Sequence, residues 1–71
     1  MMDHYYGPLA RVVCKPAAAP SCDLVVQVRD DEDSGWVEIA RYNDMSDDHA
    51  YIHAHNRAQL ASANLEKGLK P

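Results

Sequence analysis

His49-Ala50-Tyr51-Ile52-His53-Ala54-His55 is the stretch on which the fold of this 71-residue chain turns, because it satisfies two periodicities at once. Read as a strand, it puts Ala50, Ile52 and Ala54 on one face and His49, Tyr51, His53 and His55 on the other. Read as a helix, it begins from Ser46 as a cap, with Asp47 and Asp48 in a first turn whose dipole favours carboxylates. Tyr51, Ala54, Ala58, Ala61 and Leu65 then form one stripe at helical spacing. Periodicity alone does not choose between the two.

Downstream the pattern is plainer. Asn56 is a good helix cap, the alanines and leucines of 57–67 favour helix, and Gly68 with Pro71 ends it. So short a helix is marginal by itself and must dock through Ala58, Ala61 and Leu65. Upstream, Leu24 to Arg29 alternates, with Leu24, Val26 and Val28 on one face and Val25, Gln27 and Arg29 on the other. Trp36 to Tyr42 resumes the alternation, with Val37 and Ile39 on one side. Between them Asp30-Asp31-Glu32-Asp33-Ser34-Gly35 is a polar turn, so the pair reads as a β-hairpin. The acids do not make an EF-hand: counting from Asp30, Arg41 stands where the bidentate carboxylate belongs. They read instead as a solvated turn that discourages edge-to-edge aggregation. Leu9 to Cys14 is a further short strand, Lys15 to Ser21 a loop on account of Pro16 and Pro20, and residues 1–8 an irregular arm whose Tyr5 and Tyr6 cover an edge of the core.

The core this pattern offers is thin. Of the 46% of residues that are apolar, 10 are alanine, only 13 are Leu, Ile or Val, and none is Phe. A chain of this length buries only about 60% of its unfolded surface and tends to lean on a disulfide, a metal or a partner. The net charge of −4 opposes the counterion-release attraction behind generic binding to DNA. No apolar run approaches the roughly 18 residues that span a bilayer, and the first twenty residues, interrupted by Asp3, His4, Arg11 and Lys15, lack a signal-peptide core. The expectation is a cytoplasmic protein without membrane or DNA partners; Cys14 and Cys22 flank a loop and could meet if the flanking segments pair, but a reducing cytosol favours thiols.

The densest chemistry is His49, His53 and His55, preceded by Asp44, Asp47 and Asp48. On a strand His53 and His55 project from one face and suit a shared zinc ion; on a helix His49 and His53 make the pair instead. Imidazoles with near-neutral pKa also suit metal-free RNA cleavage, as base for the ribose hydroxyl and acid for the leaving oxygen, with Arg41, Arg29 or Arg57 to stabilise phosphorane charge. The plainer reading is a polar, partly exposed histidine face stacked on Tyr51, with no cofactor.

Val25 to Val28, the run Gly35-Trp36-Val37-Glu38-Ile39-Ala40-Arg41-Tyr42-Asn43-Asp44, and His49-Ala50-Tyr51-Ile52-His53 together resemble small uncharacterised proteins of phages and mobile elements. In these an apolar strand and an acidic turn lead to a Gly-x-Trp strand ending Arg-Tyr-Asp, followed by a His-x-Phe/Tyr-x-His segment. A more distant likeness is to the TumE type of bacterial toxin, whose strand ends Arg-Tyr-Asp-Asn before a His-rich run. The resemblance covers about 30 of the 71 residues through short motifs. It implies a β-meander in which the histidine segment is the next strand. The toxin likeness implies that Arg41, His49, His53 and His55 would carry any catalysis.

The expected fold is therefore α+β and a single small domain, 1–71: an antiparallel meander of three to four strands (about 9–14, 23–29, 36–43 and 49–55) with a C-terminal helix, about 56–67, on one face. Val26, Val28, Val37, Ile39, Ile52, Ala61 and Leu65 should point inward. The face left uncovered is expected to bear Trp36, Tyr42, Tyr51 and His53 and to bind a bacterial host protein, the chain being a phage-encoded, non-enzymatic interaction protein. The alternatives are an RNA-cleaving enzyme on His49, His53, His55 and Arg41, or a zinc-stabilised module on His53 and His55. Exposed edge strands also suit a homodimer.

Overall fold

Hairpin by hairpin, the β-rich half of the chain closes into one sheet. The computed structural model describes residues 3–16, 22–43 and 48–71, and the side chains of all these except Pro16, Cys22 and Asp48. Strands β1 (His4–Tyr5), β2 (Ala10–Pro16), β3 (Cys22–Val28) and β4 (Val37–Tyr42) are antiparallel and neighbour one another in chain order. Helix α1 (Asp48–Glu66) packs against the sheet. The α+β meander with its C-terminal helix is the fold class expected from the sequence.

The ladder between β2 and β3 sets the two faces. Ala10 pairs with Val28, Val12 with Val26 and Cys14 with Leu24, and these point toward α1. Arg11 pairs with Gln27, Val13 with Val25 and Lys15 with Asp23, and these point away. Val12, Leu24 and Val26 pack on Ala54 and Ala58, while Ala10 and Val28 pack on Ala61. Each large aliphatic so buried contributes about 1.5–3 kcal/mol relative to exposure. On the far face Val25 is fully buried and Val13 nearly so, bordered along and across the ladder by Asp23, Gln27 and Arg41.

The stretch 49–55 is helix, not strand. α1 runs unbroken from Asp48, so Asn56 lies inside it and does not cap it; the proposed cap Ser46 falls outside the described residues. The docking stripe is Ala50, Ala54, Ala58 and Ala61, with Leu65 half-buried at its end. Four alanines let the helix axis approach the sheet closely, which compensates for the shortage of large apolar residues. Ile52, expected inward, stands 52% exposed on the outer side, and Tyr51 is also out. The helix ends as expected: Gly68, at φ 76°, donates to Leu65 O, and Leu69 donates to Asn64 O, the paired bonds of a Schellman cap.

The fourth strand is supplied by the arm that was expected to be irregular, His4 pairing with Val12 and Tyr5 with Arg11. Tyr6 then turns inward against both halves of the core, and Gly7, at φ 75°, brings the chain back; a Cβ there would sit 3.2 Å from Ser62 Oγ on the helix. β2 also runs beyond Cys14 through Lys15 to Pro16, because a proline at a strand end forfeits only one donor. Cys14 opposes Leu24 and Cys22 opposes Pro16 in the ladder; the state of the cysteine pair lies outside the described residues, as Cys22's side chain does.

Strand β4 departs from simple alternation. Tyr42, Arg41 and Ala40 pair with Leu24, Val25 and Val26, but Gln27 then pairs with Glu38, leaving Ile39 as an extra residue in a bulge. Ile39 therefore joins Ala40 and Tyr42 against the core under α1. Val37, expected to share a buried face with Ile39, is 59% exposed at the strand's end.

Candidate functional site

The register distributes the chemically active side chains over two faces that do not communicate directly. On the helix side, β1 places His4 and the following turn places Tyr6 beside His55 of α1. Tyr6 Oη hydrogen-bonds His55 Nδ1. His4 meets the same imidazole edge-on with ring centroids 5.0 Å apart, and Tyr51, one turn earlier on the helix, lies against it tilted by 39° at 4.2 Å. Partial burial, and then the neighbouring His4, lower the His55 pKa below its ordinary value. Burial, and then Tyr51, raise that of Tyr6.

His53 faces the other flank of the helix. Its ring stacks on Tyr42 of β4, 18° from parallel with centroids 6.3 Å apart. Residues two apart on a helix point some 200° apart around the axis, so His53 and His55 lie over opposite edges of the sheet and do not form the shared zinc pair a strand would have given. Among the described residues, no three His, Cys, Asp or Glu side chains gather to hold a metal ion. The alternative catalytic set is likewise not assembled. Arg41 lies on the far side of the sheet, donating to Asp23 Oδ2 and Glu38 Oε1, both at 2.9 Å.

That far face carries the second cluster. Trp36, just ahead of β4, reaches over it, and two guanidiniums stack on its ring: Arg11 at 4.2 Å and Arg29 at 4.3 Å from the ring centroid. Tyr5 lies beside them, 54% exposed, its ring 6.1 Å from that of Trp36. Both arginines are fixed by neutral acceptors. Arg11 donates from Nε to Gln27 Oε1 (2.8 Å) and from Nη1 to Tyr5 Oη (3.2 Å); Arg29 donates from Nε to Pro8 O (2.7 Å) and from Nη1 to Glu32 O (3.3 Å). The acidic turn next to Arg29 is folded on itself. Asp31 Oδ1 accepts from Asp33 N and Ser34 Oγ, and these bonds lower its pKa.

The four residues expected to share one binding face are thus divided. Trp36 is on the helix-free face, whereas Tyr42, Tyr51 and His53 are on the helix side. Sequence reasoning missed Arg11 and His4; it offered Arg29 only for phosphorane charge and set Tyr5 against an edge of the core, whereas Tyr5 is exposed beside Trp36. A signal for Arg29 was present: a hairpin that opposes Val28 to Val37 brings Arg29 and Trp36 together one step further on.

No protein-family model, curated protein or solved structure matches this chain. Among the described residues, no helix is long and apolar enough to cross a membrane.

Proposed function

We propose that the chain is a non-enzymatic interaction protein that binds a protein partner through the helix-free face of its sheet, with Trp36 at the centre of the contact. The observation that carries this reading is the stacking of Arg11 and Arg29 on Trp36 beside an exposed Tyr5. Tryptophan, tyrosine and arginine are the residues that most often anchor protein interfaces, and here Arg11, Arg29 and Tyr5 are ordered in advance by hydrogen bonds and Trp36 by the guanidiniums on its ring, so little side-chain freedom is lost on binding. The resemblance to small phage proteins makes a bacterial host protein the expected partner and the bacterial cytoplasm the expected setting.

The test is recovery from bacterial lysate followed by quantitative mass spectrometry, with the native chain, Trp36→Ala and Ile52→Gln compared side by side. One stoichiometric partner that is lost with Trp36→Ala and kept with Ile52→Gln supports the reading. A partner that survives Trp36→Ala, or enrichment of RNA with no protein, refutes it.

A further inference from the structure

The chain is acidic, yet four of its seven basic residues, Arg11, Lys15, Arg29 and Arg41, project from the helix-free face. The carboxylates of the β3 and β4 ladder on that face, Asp23 and Glu38, are both engaged by Arg41. Arg11 and Arg29 have no carboxylate within ion-pair distance among the described residues. Their bonds go to an amide, a phenol and two backbone carbonyls, which fix the guanidinium planes without a carboxylate in direct contact; Asp31 of the adjacent turn acts on Arg29 through space only. The Nη2 groups of both keep donors with no assigned acceptor among the described residues.

We propose that this face takes an acidic peptide segment of the partner, with Asp or Glu carboxylates on Arg11 and Arg29 and the aliphatic parts of the segment on Tyr5 and Trp36. The proposal rests on the reading of the same face as the contact surface. Fixed, stacked guanidiniums favour carboxylates because charge-assisted hydrogen bonds form without first ordering a long side chain. A nucleic-acid strand fits less well. Its continuous phosphate charge would run from the cationic centre into the acidic turn 30–33 at one end and exposed Glu38 at the side, on a chain of net charge −4. A short acidic segment can end before either.

Fluorescence anisotropy with three labelled probes tests this: an Asp/Glu-rich peptide containing leucines, its Asn/Gln counterpart, and oligouridylate of equal charge. The acidic peptide should bind best, its affinity should fall as salt is raised, and the neutral counterpart should bind about tenfold more weakly or worse. The double variant Arg11→Gln, Arg29→Gln should lose about tenfold in affinity for the acidic peptide, and Lys67→Gln, Lys70→Gln should not. Equal binding of the neutral counterpart, or preference for the oligouridylate, overturns the proposal. Probe and salt comparisons on the native chain decide it even if the double variant does not fold. A lysate partner lost with Trp36→Ala but held without salt dependence would sink the acidic-peptide proposal alone, leaving the contact surface standing.

Discussion

Glu38 and Arg41, three residues apart on one strand, lie on the same face of the sheet and join at 2.9 Å. Regular alternation would put them on opposite faces. The bulge at Ile39 makes the contact possible, and it makes a second one with the same extra residue. Arg41 stays opposite Val25, within reach of Asp23, while Ile39 drops under the helix. One inserted residue thus supplies both an apolar contact for α1 and a clamp on the other side.

Ile39→Ala should remove the first of these. The side chain is half-buried and touches both parts of the core, so the expected destabilisation is about 1–2 kcal/mol, below the full cost of emptying a buried isoleucine site. Urea unfolding followed by circular dichroism measures it, and a loss no larger than that of Val37→Ala, whose side chain is exposed, would contradict the bulge's role.

Arg41 holds the Glu38 carboxyl below its ordinary pKa, chiefly by hydrogen bonding. A carboxylate with a depressed folded-state pKa contributes stability above its unfolded value and loses that contribution as pH falls through the folded value. Arg41→Gln should therefore lower the melting temperature at neutral pH and flatten the acid limb of the stability profile. If melts at neutral pH and in acid shift by the same amount, the clamp has no ionic part.

How far the sequence could be read follows from particular residues. Leu24 to Val28 alternates without interruption, and its faces were legible. Val37 and Ile39 alternate too, but a bulge shows only in the pairing and not in the residues themselves. In 49–55 the ambiguity is arithmetical: Ala50 and Ala54 are four apart, a separation that keeps one face in a strand and in a helix alike. Ile52 between them separates the readings, inward on a strand and outward on a helix, and a single aliphatic residue on a helix's solvent side is too common to decide the matter. The continuation of the alanines to 58 and 61 was the better signal. Imidazole suggests chemistry by itself, whereas Arg11 and Arg29 gain their meaning only once Trp36 lies against them.

The alanine stripe sets a second stability test. Ala58 is fully buried where α1 meets Val12, Leu24 and Val26. Ala58→Leu should push the helix off the sheet and cost about 1–3 kcal/mol, whereas Leu60→Gln, at a site 58% exposed, should change stability by less than about 0.5 kcal/mol. Denaturant melts of the two variants check the contrast, and equal losses at the two sites would contradict the docking of α1 through its alanines.

His55 gives the stability a dependence on acid of its own. Its pKa is lowered in the folded chain, by burial first and by His4 second, so the unfolded chain binds more protons over the interval between the two values. The stability present above the ordinary imidazole value is lost as pH falls through the depressed one. His4, Tyr6 and Tyr51 are the groups that face the ring. His55→Gln leaves Tyr6 an acceptor and should abolish the component of the profile just below neutrality; a profile unchanged by the substitution would place its origin elsewhere.

Trp36 is the chain's single tryptophan, so its fluorescence reports the helix-free face alone. With Arg11 and Arg29 stacked on the ring, the local field should attract anions despite the overall charge of −4. Iodide should therefore quench Trp36 more efficiently than caesium, by a margin that narrows as inert salt is added. Replacing both arginines by glutamine removes stacking worth about 0.5–1 kcal/mol each, exposes the indole and strips the cationic field. Quenching by caesium should then rise, because access improves and repulsion disappears, while iodide loses its advantage. If caesium is already the better quencher in the native chain, the acidic turn 30–33 governs the field at Trp36, and the face is not poised to receive carboxylates.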